Sequence, residues 1–129
     1  MPNRSHDWLA QAERDLELAV TARREGRHEW ACFAAQQAAE KAVKALHLHL
    51  GQEAWGHVVA KLLAELPSPP PPDLVERGRV LDNFYVPTRY PNGHATGAPF
   101  EHYGPLQSEQ AIGHAGAILA FVRAQVARP

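Results

Sequence analysis

Seven alanines on one side of a single helix-period segment set the strongest limit on how this 129-residue chain folds. Between His28 and Leu50, the residues Ala31, Ala34, Ala35, Ala38, Ala39, Ala42, Val43, Ala45 and Leu46 recur at helical spacings. That spacing belongs to an amphipathic helix rather than a strand. Methyl-sized side chains let helix backbones approach closely, so this segment is expected to be the central helix of an all-α bundle. Gly51 is a natural stop for it.

Four more helical segments can be read around it. The first runs from Ser5 to Glu25, with Trp8, Leu9, Ala12, Leu16, Ala19 and Val20 in one arc. Ser5 is expected as its N-cap and Gly26 as its stop. The break Gly26-Arg27-His28 is short, so the central helix should turn back antiparallel to the first. A third helix is expected from His57 to Leu66, burying Val59, Leu62, Leu63 and Leu66. Pro67 to Pro72 then forces an extended loop. Asp73-Leu74-Val75-Glu76 has capping-box spacing and opens a fourth helix to Tyr85. Val86 to Pro105 is rich in Pro, Gly and aromatics, and a loop of that length is usually functional or mobile. The last helix, Leu106 to Val126, should bury Ala111, Ile112, Ala115, Ile118, Leu119, Val122 and Val126. The length fits one domain over residues 1–129.

Charge narrows the function classes. The formal net charge is −1, so any contact with nucleic acid or phosphate must come from a local basic patch. Ten arginines against three lysines favour planar, bidentate phosphate contacts. The single cysteine, Cys32, lies among alanines and reads as a small buried apolar group. Met1 to Asp7 lacks the apolar core of a signal peptide, and no apolar run is long enough to span a bilayer. A cytoplasmic protein without membrane contact is the expectation.

Two constellations are chemically informative. Gln36, Gln37, Glu40, Lys41, Lys44 and His47 share the polar face of the central helix. Gln37, Lys41 and Lys44 follow i, i+4, i+7 spacing and present an amide and two ammonium groups to a phosphate or base edge. Taken alone, the same residues read more simply as a solvated face with ordinary ion pairs, Glu40–Lys44 among them. Trp30, Phe33 and Leu48 interrupt that face and mark a partner surface. The second constellation is Arg89 and His94, spaced R-x4-H. Histidine can move a proton at a 2′-hydroxyl or leaving oxygen, and arginine can stabilise phosphorane charge. The simpler reading pairs Arg89 with a carboxylate and packs Tyr90-Pro91 as a turn. Eight histidines invite a metal, yet His47 and His49 point apart on a helix and no zinc motif is present. No metal and no cofactor are expected.

Ala31-Cys32-Phe33-Ala34-Ala35-Gln36-Gln37-Ala38-Ala39-Glu40-Lys41-Ala42-Val43-Lys44-Ala45-Leu46 resembles the helix-two signature of HEPN domains (higher eukaryotes and prokaryotes nucleotide-binding). Asp15-Leu16 resembles the DL pair of the family's first helix. Gly56-His57 with Leu62 or Leu63 resembles its GH-x-L segment, and Arg89-Tyr90-Pro91 its RYP. The resemblance implies an up-down bundle of about five helices, of the type that serves as the substrate-binding partner of nucleotidyltransferases, usually dimeric. Relatives of that kind include small partners of minimal nucleotidyltransferases and a nucleotide-associated domain of sacsin. Others are metal-independent ribonucleases and toxins of toxin–antitoxin systems that use R-x4-6-H across a dimer cleft. Two functions are therefore expected as alternatives. The first is a nucleotide-binding or interaction module using Gln37, Lys41, Lys44, Arg89 and Tyr90, with a nucleotide, an RNA or a separate nucleotidyltransferase as partner. The second is an endoribonuclease using Arg89 and His94 in a homodimer. The nuclease motif usually lies on a helix with a polar residue after its arginine. Here Tyr90 follows Arg89, and Pro91 and Gly93 forbid a regular helix up to His94.

Overall fold

In a computed structural model, residues 3–128 are described. Residues 1, 2 and 129 lie outside them, as do the extreme ends of the 1–129 domain assignment and the Met1-Pro2 part of the N-terminal reading. Five α-helices follow one another: α1 Ser5–Arg24, α2 His28–His49, α3 Val59–Ala64, α4 Pro72–Asp82 and α5 Pro105–Val126. Two 3-10 turns, Pro91–Gly93 and Pro99–Glu101, lie between α4 and α5. The described residues contain no strand.

The alanine face of α2 is the centre of the bundle, as its spacing requires. Ala31, Ala35, Ala38, Ala39 and Ala42 are fully buried against α1 and α5. Across from them lie Ala12 and Ala19 of α1 and Ala111, Ala115, Ile118, Leu119 and Val122 of α5. Gly26 and Gly51 adopt φ of +76° and +80°, the left-handed conformation that ends α1 and α2. No helix among the described residues is long and apolar enough to cross a membrane.

Several local expectations are corrected. Ser5 is not the N-cap of α1 but its first residue, and it is buried. The N-cap position is Arg4, which makes no side-chain cap, and Asn3 Oδ1 accepts the Ser5 N–H at 2.7 Å. Trp8 and Val20 lie at the edges of the α1 apolar arc and stay 37% and 40% exposed, so they do not join the core. On α5, Ile112 and Val126 are only partly buried. The capping box on Asp73 is displaced because Pro72 takes the first helical position, where its missing N–H costs nothing. Asp73 instead faces Arg77 at 3.5 Å.

Helices α3 and α4 are both shorter than expected, for linked reasons. The His57 carbonyl, just before α3, accepts a hydrogen bond from Gln36 Nε2 at 3.1 Å. Helix α3 begins two residues later, and Asp82 of the neighbouring α4 binds the backbone of its first turn. The Asp82 carboxylate accepts the Val59 N–H at 2.6 Å and the Ala60 N–H at 3.2 Å. With its last residue turned to that task, α4 ends at Asp82, three residues before Tyr85. Gly78 lets α4 lie against this capped turn: a Cβ there would stand 3.0 Å from the Ala60 backbone nitrogen.

The long connection after α4 satisfies its own polar groups. Thr88 is buried and donates through Oγ1 to the Phe84 carbonyl at 2.7 Å. The rings of His94 and His102 stack in parallel, 4.0 Å apart. Each donates from Nε2 to a carbonyl of the connection: His94 to Pro87 at 2.7 Å, His102 to Thr96 at 2.6 Å.

Candidate functional site

The polar stripe of α2 is not one solvated face. Gln36, Glu40 and His47 are buried, whereas Gln37, Lys41 and Lys44 are only partly so. The cover comes from the segment after α2 and from α3, which the helical period of α2 does not register. His47 Nε2 donates to the Leu62 carbonyl at 2.8 Å. The Glu40 carboxylate receives Gln36 Nε2 at 3.2 Å, His57 Nδ1 at 3.1 Å and Lys44 Nζ at 3.2 Å. Lys41 reaches Asp15 of α1 at 2.5 Å. Both stripe lysines are thus neutralised by neighbouring carboxylates.

This network also fixes a partly buried group, the Gln37 amide. Glu40 and the His57 carbonyl present acceptors, so they hold the amide nitrogen of Gln36. Its oxygen must then face Gln37, which donates to it at 2.8 Å. Gln37 is left with its carbonyl oxygen outward, and that oxygen accepts no hydrogen bond among the described residues.

Among the described residues Arg89 is partnered neither by a carboxylate nor by His94. Its Nε donates to the Tyr85 carbonyl at 2.9 Å. Its guanidinium carbon lies 4.3 Å from the Phe33 ring centre, 4.9 Å from Tyr85 and 5.1 Å from Tyr90. Among the described residues no carboxylate pairs with it, against the simpler expectation. Three aromatic rings gather around the cation, and among the described residues its two terminal nitrogens donate to no protein acceptor. The bed is braced in turn: His57 stacks on Tyr85 at 4.5 Å, and Trp30 meets Phe33 edge-on at 6.1 Å. Tyr90 itself is half exposed.

His94 is turned to the Pro87 carbonyl and to His102, and no hydrogen bond joins it to Arg89 among the described residues. Sequence reading missed Tyr85, His57 and Asp15 as parts of this surface. Tyr85 precedes Arg89 by four residues, a spacing that would have flagged it had α4 been read as turning there. Asp15 stands out in the sequence only as half of the DL pair; its pairing with Lys41 carries no local signal, since the two are distant in sequence.

Other titratable groups lie in apolar or crowded places. Burial, with Glu29 nearby, pushes the Cys32 thiol up to about 12. Burial also raises the Asp82 carboxyl, with a smaller push from Glu40, against the opposing hydrogen bonds from Val59 and Ala60. His114 is lowered by burial and by Arg77. No group of three His, Cys, Asp or Glu side chains gathers as a metal site among the described residues.

A groove of about 390 Å³ opens between α1 and α2, and Phe33, whose ring carries Arg89, is part of its lining. Phe33, Trp30, Leu18 and Ala22 wall it, with Gln37, Lys41 and Asp15 at one end.

The family model of the HEPN domain matches residues 5–125. The chain belongs to the HEPN domain family. Solved structures agree with that membership over nearly the full length. A crystal structure of a Thermus thermophilus protein is 51% identical, covers 96% of this chain and 99% of its own, and superposes with a TM-score of 0.94. An archaeal HEPN homologue is 42% identical, with 97% and 99% covered and a TM-score of 0.85. A HEPN domain protein of Thermotoga maritima is 33% identical, with 96% and 100% covered and a TM-score of 0.78. No protein of curated function matches at the sequence level. The helical bundle of this HEPN domain is therefore the one its sequence resembles, and the α2 signature residues are those that build the buried network.

Proposed function

We propose that this HEPN domain is a nucleotide-binding module whose phosphate contact is Arg89. The carrying observation is the aromatic bed of Phe33, Tyr85 and Tyr90 around Arg89, which no carboxylate among the described residues neutralises. With Nε engaged by the Tyr85 carbonyl, the two terminal nitrogens remain as the donor pair that suits bidentate phosphate contact. Lys41 and Lys44 are bound to Asp15 and Glu40 and play the lesser part, adding only residual N–H donors. A free nucleotide is the simplest ligand of this chemistry. A nucleotide shared with a separate nucleotidyltransferase would use the same contacts.

The ribonuclease alternative requires Arg89 and His94 to act on one phosphate. His94 Nε2 is engaged by Pro87 and its ring is stacked on His102, which favours the binding reading. Calorimetric titration with ATP tests it. Arg89→Ala should weaken binding at least about tenfold, the scale of one charge-assisted contact. Arg89→Lys should not restore it, because an ammonium lacks the planar edge. No ATP binding at millimolar concentration would sink the reading. RNA cleavage in EDTA, lost in both Arg89→Ala and His94→Ala, would replace it with the nuclease.

A further inference from the structure

We propose that the α1–α2 groove is a nucleobase subsite contiguous with Arg89; this rests on the Arg89 phosphate reading. Its volume of about 390 Å³ lies in the range of small-molecule sites, roughly 300–1,000 Å³. Its walls are apolar and in part aromatic. Leu18 is 58% and Trp30 50% exposed at the rim, large apolar side chains left open to solvent. Flat apolar walls suit a ring that stacks.

The polar end gives the groove its chemistry. Gln37 offers an acceptor whose orientation is dictated from the interior through Gln36, Glu40 and the His57 carbonyl. One turn on, Lys41 offers N–H donors beyond the one given to Asp15. A fixed acceptor beside a donor matches the edge of a base, which carries an amino or ring N–H next to a ring nitrogen or carbonyl. An apolar helix from a second copy would leave the Gln37 oxygen and the Lys41 ammonium without partners.

Phe33 joins the two halves. One part of its ring bears Arg89, and the same side chain walls the groove. Trp30, Phe33, Gln37 and Lys41 fall at i, i+3, i+7 and i+11, a single stripe on α2. Along the helix axis Phe33 and Gln37 are about 6 Å apart, Phe33 and Lys41 about 12 Å. A mononucleotide with its phosphates at Arg89 has its base beside Gln37.

Three probes separate base from phosphate: ATP, tripolyphosphate and adenosine, titrated calorimetrically. ATP should bind about tenfold tighter than tripolyphosphate. Gln37→Leu should remove about three- to tenfold of the ATP affinity, the scale of one lost neutral hydrogen bond, and leave tripolyphosphate unchanged. Leu18→Ser, at an exposed rim position, should do the same without disturbing the fold. Arg89→Ala should weaken both phosphate probes. Equal affinity for ATP and tripolyphosphate, with both groove variants silent, overturns the subsite and leaves the Arg89 reading standing. Should neither phosphate probe bind, the Arg89 reading fails; adenosine binding lost in Gln37→Leu would then still uphold the groove, and its absence overturns it. A dimer in sedimentation that Leu18→Ser dissociates and adenosine does not would assign the groove to a second copy instead.

Discussion

Replacing Glu40 by glutamine probes the network from which the outward face of α2 takes its order. The Glu40 side chain is 6% exposed and that of Lys44 13%, with Oε2 and Nζ 3.2 Å apart. Its other oxygen receives Gln36 and His57. A glutamine has one carbonyl oxygen, and those two donors claim it. The amide nitrogen must then face the Lys44 ammonium, donor against donor. At an effective dielectric constant near 20, the lost attraction is about 5 kcal/mol. Most of this is offset, because the desolvation of the carboxylate is also lost and Lys44 can swing toward solvent past Trp8. A net destabilisation of about 2 kcal/mol remains, below the range for fully buried pairs. For a domain of this size that lowers Tm by about 8 °C. Thermal unfolding followed by circular dichroism reads it directly. In a double-mutant cycle with Lys44→Met, the pair should show a coupling of at least about 1 kcal/mol. A Tm within about 2 °C of wild type, or strictly additive losses, would refute the network as the source of order.

Three further outcomes follow from the packing and from the shifted groups. Gly78→Ala should lower stability by about 1 kcal/mol despite the better helix propensity of alanine, because its Cβ meets the capped Ala60 backbone at 3.0 Å; chemical denaturation measures it, and a stabilised variant would show that α3 can yield. Cys32, buried and with a thiol pKa of about 12, should resist iodoacetamide at pH 8 in the native protein and react once unfolded in urea; rapid native labelling would mean that α2 opens locally. His114 has a folded pKa below its ordinary 6.5, so the unfolded chain takes up the proton first as pH falls. Its neutral form contributes stability that is intact above 6.5 and is lost as pH drops through 6.5 toward the lowered value; His114→Gln should flatten that part of the stability profile, and an unchanged profile would count against the shift.

The helices themselves were readable because their causes are local. Alanine and leucine periodicity, Gly26, Gly51 and the proline run punctuate the chain within a few residues of where the structure breaks it. The ends that were misplaced have distant causes. Asp82, the last residue of α4, binds the first turn of α3, and Gln36 of α2 binds the His57 carbonyl just before it. At the start of α1 the side-chain acceptor is Asn3, which takes the Ser5 N–H, and not Ser5 itself.

The α2 stripe divides most clearly between what sequence and tertiary structure each decide. Sequence placed Gln36, Gln37, Glu40, Lys41 and Lys44 along one side of a helix, since residue spacing alone sets angular position. It also carried the HEPN signature, and with it the bundle. Which of those groups stay wet was decided by segments remote in the chain. The residues after α2 and helix α3 cover Gln36, Glu40 and His47, and Asp15 of α1 takes Lys41. Arg89 is the sharper case. Its sequence neighbourhood pointed to a carboxylate partner or to His94, but its guanidinium lies on Phe33 of α2. Periodicity reports a residue's direction from its own helix axis; the group waiting in that direction is set by how the chain returns, which only the folded packing shows.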